Sequence, residues 1–193
     1  MGRGRGVFGL GASRPNLSTW TEILPPDSVA KVFSTTLTSF ILTQDNSLLV
    51  AGYNAHYQAG AGATTQIDTW TPVLTEVAAV AGNQYHTLAL KTDGTVWGAG
   101  SNQDGRLGFG NPAEGAPDFI TTWTQIPGLA GVTQISAGIE HSLALKSDGT
   151  VWVAGSNWVG EFGVGDYVGH PAVAERALQP VNRRRPLLPA QKR

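Results

Sequence analysis

The stretch His86–Asn102 reads HTLALKTDGTVWGAGSN, and the stretch His141–Asn157 reads HSLALKSDGTVWVAGSN. Fourteen of the seventeen positions are identical at a constant offset of 55 residues. A weaker third copy, SFILTQDNSLLVAGYN, occupies Ser39–Asn54. Repetition with a period of this size is typical of solenoids and propellers, so these copies decide the fold more than the composition does.

Each copy predicts a β-hairpin. Leu88 and Leu90 alternate with other residues, which is typical of a strand that has one face in a core. The pair Asp93-Gly94 follows, and we expect a two-residue turn of the mirror-image type, in which both central residues have positive φ. The segment TVWGAG then predicts the returning strand. The copy at His141–Asn157 repeats the Asp-Gly pair, and the copy at Ser39–Asn54 has Asp-Asn there.

A stretch with Trp precedes each hairpin, and a glycine-rich segment follows it: YQAGAG (57–62), GRLGFG (105–110) and GEFGVG (160–165). Each unit then holds about four short strands, which is the content of one β-propeller blade. A further glycine segment, GVFGLG, stands at residues 6–11, so the chain is expected to open with the end of a blade.

These units predict an all-β fold of β-propeller-type blades, with three full four-stranded repeats and partial blades at both ends. The expected organisation is the end of an incomplete blade and a linker at 1–18, a degenerate blade at 19–62, blades at 69–110 and 122–165, and the start of an incomplete blade with a basic tail at 166–193.

The combined pattern resembles the repeats of the regulator of chromosome condensation family, with a GxxHtlaL strand, a DG turn and a GQLGxG-type ending. Residues 77–110 and 132–165 match it well, and residues 19–62 match it loosely, with Thr38 in place of His and Tyr57 in place of Gly. The resemblance covers about residues 6–165. It implies a seven-bladed propeller and a function exercised through loops on a propeller face.

Three blades do not close a ring, because closed propellers have at least four. One hypothesis is that the chain completes itself with other copies of itself. The terminal segment Gly6, Val7, Phe8, Gly9, Leu10 and Gly11 would then donate a strand to a partner's blade. Another hypothesis is that the chain is an incomplete stretch of a longer seven-bladed propeller.

Charge is segregated along the chain. All 14 acidic residues lie between Glu22 and Glu175, where only four lysines and arginines accompany them, and the other cations lie at the two ends. An acidic body makes nucleic acid an unexpected partner except through the basic tail, where Arg183, Arg184 and Arg185 form an electrostatic segment. No apolar run is long enough for membrane insertion.

The sequence offers no catalytic constellation. His86 and His141 hold equivalent repeat positions, which favours packing over metal ligation. The segment GRGVFG (4–9) matches a dinucleotide fingerprint by letters, yet no strand precedes it. Chain-wide, we expect no catalytic residues, no cofactor and no metal site, so the protein is predicted not to be an enzyme.

Candidate partner-binding residues are those that depart from the repeat. Trp158 replaces Gln103 in the loop after the third strand, and Tyr53, His56 and Tyr57 cluster in the corresponding loop of the first repeat. Aromatic side chains in such loops are typical of protein contacts. They would bind either other copies of the chain or a different protein.

The sequence therefore predicts a non-catalytic, self-associating assembly protein. The alternative is a face-binding regulator or inhibitor of a single protein partner, either an enzyme or a small GTPase. Few lysines in the body together with abundant Thr and Gly favour a surface, extracellular or phage-type assembly over a cytoplasmic location.

Overall fold

A computed structural model describes residues 19–23, 28–163 and 167–169, and these form three antiparallel sheets from successive segments of the chain. The first sheet contains β1 (Val29–Ser34), β2 (Thr38–Thr43), β3 (Leu48–Tyr53) and β4 (Gln66–Leu74); the second contains β5 (Val77–Gly82), β6 (His86–Lys91), β7 (Val96–Ser101) and β8 (Phe119–Gln125); the third contains β9 (Val132–Ala137), β10 (His141–Lys146) and β11 (Val151–Gly155). Two short 3-10 helices, Gln103–Gly105 and Pro112–Glu114, lie between β7 and β8. The predicted all-β fold of propeller-type blades is confirmed.

All three sheets begin later in the chain than the predicted blades, and the first two also end later. They span 29–74, 77–125 and 132–155, whereas the repeats predicted 19–62, 69–110 and 122–165. The Trp123 stretch was expected to open a blade, but it forms β8 and pairs with β7 as the outer strand of the second sheet. Residue pattern identifies a strand, but it does not say which neighbour completes its hydrogen bonds. The predicted partial blades at 1–18 and 166–193 lie outside the described residues, apart from 167–169.

The hairpin turns also differ from the expected type. In Asp93-Gly94 only the glycine has positive φ, at 81°. The Gly94 N–H donates to the Lys91 carbonyl at 3.1 Å, and the Lys91 N–H donates to the Thr95 carbonyl at 2.9 Å. This is a type I turn closed by a glycine bulge, the usual longer hairpin connection. The Asp93 carboxylate accepts from the Thr95 hydroxyl and N–H, and these bonds lower its pKa.

An apolar core fills each of the two junctions between sheets. Strand β6 contributes to both cores because its side chains alternate between its two faces. Ala89 belongs to the core shared with the first sheet, together with Phe40. Leu88 and Leu90 belong to the core shared with the third sheet. Full burial of such a leucine stabilises the fold by roughly 1.5–3 kcal/mol, so these junctions hold the sheets together.

The sheets radiate from a common centre. Phe33 of β1, Val80 of β5 and Ile135 of β9 line one cavity, so the first strand of each sheet lies innermost. On the outside, the indole of Trp123 in β8 lies over Gly60 of the preceding sheet's loop, and a Cβ at Gly60 would collide with the ring. This radial arrangement of sheets is that of propeller blades.

Candidate protein-interaction surface

One asparagine shapes each loop that follows a third strand. The Oδ1 atoms of Asn54, Asn102 and Asn157 each accept from the backbone N–H five residues later, at 2.8, 3.2 and 3.0 Å. The Nδ2 atom of Asn102 also donates to the carbonyls of Gly110 and Pro117 at 3.2 and 3.0 Å. All three asparagines are buried. The repeated asparagine therefore holds these loops in a fixed shape from inside.

A glycine lies at or next to the end of each third strand, and in the second and third sheets the loop of the preceding sheet comes close to it. Gly100 and Gly155 have φ values of 111° and 110°, in the left-handed region. A Cβ on Gly155 would lie 3.1 Å from the Cα of Arg106, which belongs to the loop of the second sheet. A Cβ on Gly100 would lie 3.3 Å from the Cα of Gln58, in the loop of the first sheet. The loops consequently form one continuous surface at one end of the sheets.

A hydrogen-bond chain begins at Asn83 beneath this surface. Its Oδ1 accepts from the N–H groups of Tyr85 and His86 at 2.7 and 3.2 Å. Its Nδ2 therefore points the other way and donates to the carbonyl of Gly138 in the third sheet. The same Nδ2 lies 3.1 Å from Nδ1 of His86, which must accept because Nδ2 can only donate.

The chain continues across the junction between the second and third sheets. Because Nδ1 of His86 accepts, its proton lies on Nε2, which donates to Ser142 Oγ at 2.9 Å. The Ser142 hydroxyl in turn donates to the carbonyl of Arg106 at 2.7 Å. Burial, aided by the charges of Arg106 and His141, lowers the pKa of His86 to about 3. His86 is thus a neutral structural link, in keeping with the packing role predicted for it.

Arg106 fastens the second sheet's loop onto the third sheet. Only 3% of this residue is exposed. Its Nε donates to the carbonyl of Gln103 at 2.8 Å, and its Nη1 donates to the carbonyl of Ile139 at 3.4 Å. Its Nη2 pairs with the Asp104 carboxylate at 3.1 Å, and its guanidinium lies 5.7 Å from the Tyr85 ring centre. A buried cation held by this many partners is costly to disturb, so these bonds hold the loop against the third sheet.

The structure brings only some of the predicted contact residues together. Tyr53 and His56 form an edge contact with ring centres 6.3 Å apart. His56 also contacts Tyr85 of the second sheet at 5.2 Å, and Tyr57 contacts Phe119 at 5.4 Å. Tyr85 and Phe119 were not predicted. One signal existed for Tyr85, since the sequence has an extra residue between Gly and His in AGNQYH compared with AGIEH.

Trp158 lies in the third sheet's loop, apart from the Tyr53 and His56 loop of the first sheet. Its side chain is 78% exposed. Beside it is a small pocket whose other lining residues include Asp104 and Asn111 from the second sheet and Ser156 from the third. An exposed indole beside a cleft between two blades is a typical protein-contact feature.

The remaining predicted sites lie outside the described residues, namely Gly6–Gly11 and Arg183–Arg185. Within the part of the chain that the structure describes, no group of His, Asp and Glu side chains is arranged to hold a metal ion. In the same part, no helix is long and apolar enough to cross a membrane.

Radiating antiparallel sheets with an internal repeat define a protein of the β-propeller repeat class. Residues 77–106 and 132–161 match the family model for the regulator of chromosome condensation (RCC1) repeat, and residues 93–145 match a second model of the same description. Residues 77–161 therefore carry repeats of the regulator of chromosome condensation family, as their motifs predicted.

Several curated proteins share this repeat. Protein pim1 of Schizosaccharomyces pombe is 38% identical over 103 residues, which is 47% of this chain and 18% of that protein. The X-linked retinitis pigmentosa GTPase regulator of Mus musculus is 33% identical over 135 residues, which is 65% of this chain and 13% of that protein. The chain spans less than a fifth of the length of these relatives.

Solved structures agree on the fold. Prp20p from Saccharomyces cerevisiae superposes with a TM-score of 0.67 at 19% identity, over 75% of this chain and 37% of that chain. Human WBSCR16 superposes with a TM-score of 0.63 at 20% identity, over 78% of this chain and 41% of that chain. The propeller architecture is therefore shared, although fold by itself does not decide function.

Proposed function

We propose that this chain is a non-catalytic protein-interaction protein that binds a partner through the loop surface described above. The observation that carries the proposal is the combination of exposed Trp158 with a loop surface fixed from beneath by Asn102 and Arg106. Pre-ordered loops lose little conformational entropy on binding, and exposed aromatic residues are common binding hot spots. The first-sheet pair Tyr53 and His56 extends the same surface.

Two partner classes follow from the relatives' names. Prp20p is described by its crystal structure and its binding properties to Gsp1p and histones, and another relative is named a GTPase regulator. All 14 acidic residues lie between Glu22 and Glu175, where only four lysines and arginines accompany them, and this acidic body complements a basic partner such as a histone. We propose a GTPase or a histone-like basic protein as the partner of the Trp158 surface.

The test is binding of the immobilised chain to purified core histones and to a purified small GTPase, measured by biolayer interferometry. Trp158→Ala should weaken binding of the true partner by about tenfold or more, since hot-spot truncation costs about 2 kcal/mol. Trp20→Ala is the matched control, because Trp20 is fully exposed but lies outside the three sheets. Equal affinities of the two variants would reject the Trp158 surface.

A second candidate function is self-association, and the outward face of the third sheet favours it. That face carries His141, Leu143, Leu145, Val151 and Val153, at the repeat positions of His86, Leu88, Leu90, Val96 and Gly98. Leu88, Leu90 and Val96 of the second sheet are buried in the core shared with the third sheet. In the third sheet, Leu143 and Leu145 are only half-buried and Val151 is exposed, while Val153 is buried. An apolar sheet face of this kind gains stability when another blade covers it.

Light scattering across a concentration series tests self-association. The proposal expects a dimer or larger species that Leu143→Glu returns to monomer, because burying that carboxylate in the contact is unfavourable. Thr92→Glu, in the exposed turn of the second sheet, should leave the mass unchanged. A monomer at every concentration would contradict the proposal.

Deleting residues 1–11 tests the proposed strand donation by Gly6–Gly11 separately. Lost association with intact β5–β11 folding would support donation by this segment. Unchanged association would leave the third sheet's face as the contact.

A further inference from the structure

The pocket beside Trp158 is lined by residues from two neighbouring blades. Asp104 and Asn111 line it from the second sheet's loop, and Ser156 and Trp158 line it from the third sheet. Gly155 and Gly169 complete it with backbone alone. The pocket therefore combines a carboxylate, an amide, a hydroxyl and an indole at the junction of two blades.

Ser156 supplies the first sign of a ligand. Only 1% of this residue is exposed, and its Oγ has no hydrogen-bond partner. The repeat-equivalent Ser101 does have one, since its Oγ accepts from the Gln103 N–H at 3.3 Å. A buried hydroxyl without a partner is unfavourable, and a ligand group in the pocket would satisfy it.

Asp104 supplies the charge. Its side chain is 51% exposed, and its Oδ2 pairs with Nη2 of Arg106. Among the described residues no donor reaches its other oxygen, Oδ1. Arg106 itself is almost fully buried, so it does not present its cation to solvent at the pocket mouth. The accessible charge in the pocket is thus negative.

Trp158 supplies an aromatic face. Two other tryptophans of this chain already have a lysine ammonium over the ring. Lys146 Nζ lies 4.0 Å from the Trp152 ring centre, and Lys91 Nζ lies 4.5 Å from the Trp97 ring centre. Trp158 has no such cation among the described residues and is exposed. An indole beside a carboxylate is a favourable environment for a cation.

We propose that this pocket binds a basic side chain, arginine or lysine, of the partner protein. The cationic group lies over the Trp158 ring, faces Oδ1 of Asp104 and donates an N–H to Oγ of Ser156. The Asn111 Oδ1 already accepts from the Ala113 N–H at 3.0 Å, which leaves its Nδ2 to donate to a partner carbonyl. The assignment rests on the proposed function, because it names the chemistry that the Trp158 surface recognises.

The test uses the tripeptide acetyl-Gly-Arg-Gly-amide and its citrulline analogue, which has the same shape without the charge. Two-dimensional ¹H–¹⁵N NMR of the whole chain follows the Trp158 indole N–H, assigned by its loss in Trp158→Phe. We expect a saturable shift with the arginine peptide and binding weaker by about tenfold or more with citrulline, since a charge-assisted hydrogen bond is lost. Equal binding of the two peptides would overturn the proposal.

Two charge-removing variants test whether the Asp104 carboxylate binds the arginine peptide. Asp104→Asn should weaken arginine binding about tenfold, and Asn tolerates the positive φ of 57° at this position. Asp148→Asn is the matched control, because it removes one charge at the opposite end of the third sheet's hairpin. Equal effects of the two variants would show a general charge effect and overturn the site. Stronger binding of a glutamate tripeptide would assign the pocket to anions instead.

The outcomes separate this proposal from the function on which it rests. If Trp158→Ala abolishes protein binding but the arginine peptide does not bind, the surface stands and the basic-side-chain assignment fails. If the peptide binds but neither protein depends on Trp158, the pocket stands and the partner surface lies elsewhere.

Discussion

His86 of β6 and Ser142 of β10 are hydrogen-bonded across the junction of the second and third sheets, with Nε2 and Oγ 2.9 Å apart. The same positions at the junction of the first and second sheets are Thr38 and Thr87. The Thr38 hydroxyl donates within its own sheet to the Tyr53 carbonyl at 2.7 Å, and Thr87 Oγ1 is buried without a partner. The repeated histidine is therefore a link between blades, present at one junction and missing at the other.

Stability should depend on pH through His86. Its pKa falls from 6.5 to about 3 on folding. Below pH 6.5 the unfolded chain binds a proton at this site and the folded chain does not, so the unfolding free energy falls as pH falls through this window. The slope is at most about 1.4 kcal/mol per pH unit, which amounts to roughly 2–3 kcal/mol between pH 6.5 and 4.5. Urea denaturation at those two pH values measures it.

His86→Gln isolates the contribution of this histidine. The variant removes the titrating group, so its stability should change less between pH 6.5 and 4.5 than that of the natural chain. His141→Gln is the matched control at the equivalent repeat position, where the side chain is only half-buried. The same pH dependence in His86→Gln and in the natural chain would contradict the buried, neutral assignment.

Thr87→Val should stabilise the protein. The hydroxyl of Thr87 is buried without a hydrogen-bond partner, and valine has nearly the same shape without the polar atom. Removing the desolvated group should raise the unfolding free energy by about 1–2 kcal/mol, as measured by chemical denaturation. A decrease would show that the hydroxyl finds a partner in solution.

Ser142→Ala should have the opposite effect at the equivalent position. It leaves Nε2–H of His86 and the carbonyl of Arg106 unpaired in a buried junction. We expect a loss of about 1–3 kcal/mol. Opposite signs for Thr87→Val and Ser142→Ala would establish that the histidine link, and not the hydroxyl itself, stabilises a junction.

Much of the fold could be predicted because its information is local. Residues close together in the sequence determine the hairpin around Asp93-Gly94 and the alternation of Leu88 and Leu90. The pairing of β8 with β7 is not local, because 17 residues separate Ser101 from Phe119 in the chain. The repeat period alone is compatible with Trp123 opening one sheet or closing another, and only the backbone hydrogen bonds distinguish these choices.

The candidate surface was partly predictable for a different reason. Trp158 was found because it departs from its repeat, and its exposure is consistent with that reasoning. The pocket beside Trp158 could not be found, because its residues are contributed by two sheets and neither Asp104 nor Ser156 is unusual in sequence. A single repeat shows which residues vary, but neighbouring loops meet only in the assembled blades.

Asn102→Ala should destabilise the protein strongly. The buried side chain makes bonds to Leu107, Gly110 and Pro117, so its removal leaves one N–H and two carbonyls unpaired. We expect a loss of about 2–4 kcal/mol by thermal or chemical denaturation. Asn111→Ala is the control, since Asn111 caps a short helix through one bond to the Ala113 N–H and should cost about 1 kcal/mol.

Gly155→Ala tests whether the loops of adjacent blades must approach each other closely. Alanine there meets two penalties, a φ of 110° and contact with Glu140 and Arg106 backbone atoms. Gly128→Ala meets only the first, with a φ of 71° and no atom within 4 Å of the added Cβ. We expect losses of about 1 kcal/mol for Gly128→Ala and about 3–4 kcal/mol for Gly155→Ala. Equal losses would mean that the Glu140 backbone of the same sheet and the Arg106 loop of the second sheet both move away from the added methyl group without cost. The pocket beside Trp158 would then not be preformed, and binding there would carry an ordering cost that the arginine peptide measurement would reveal as weak affinity.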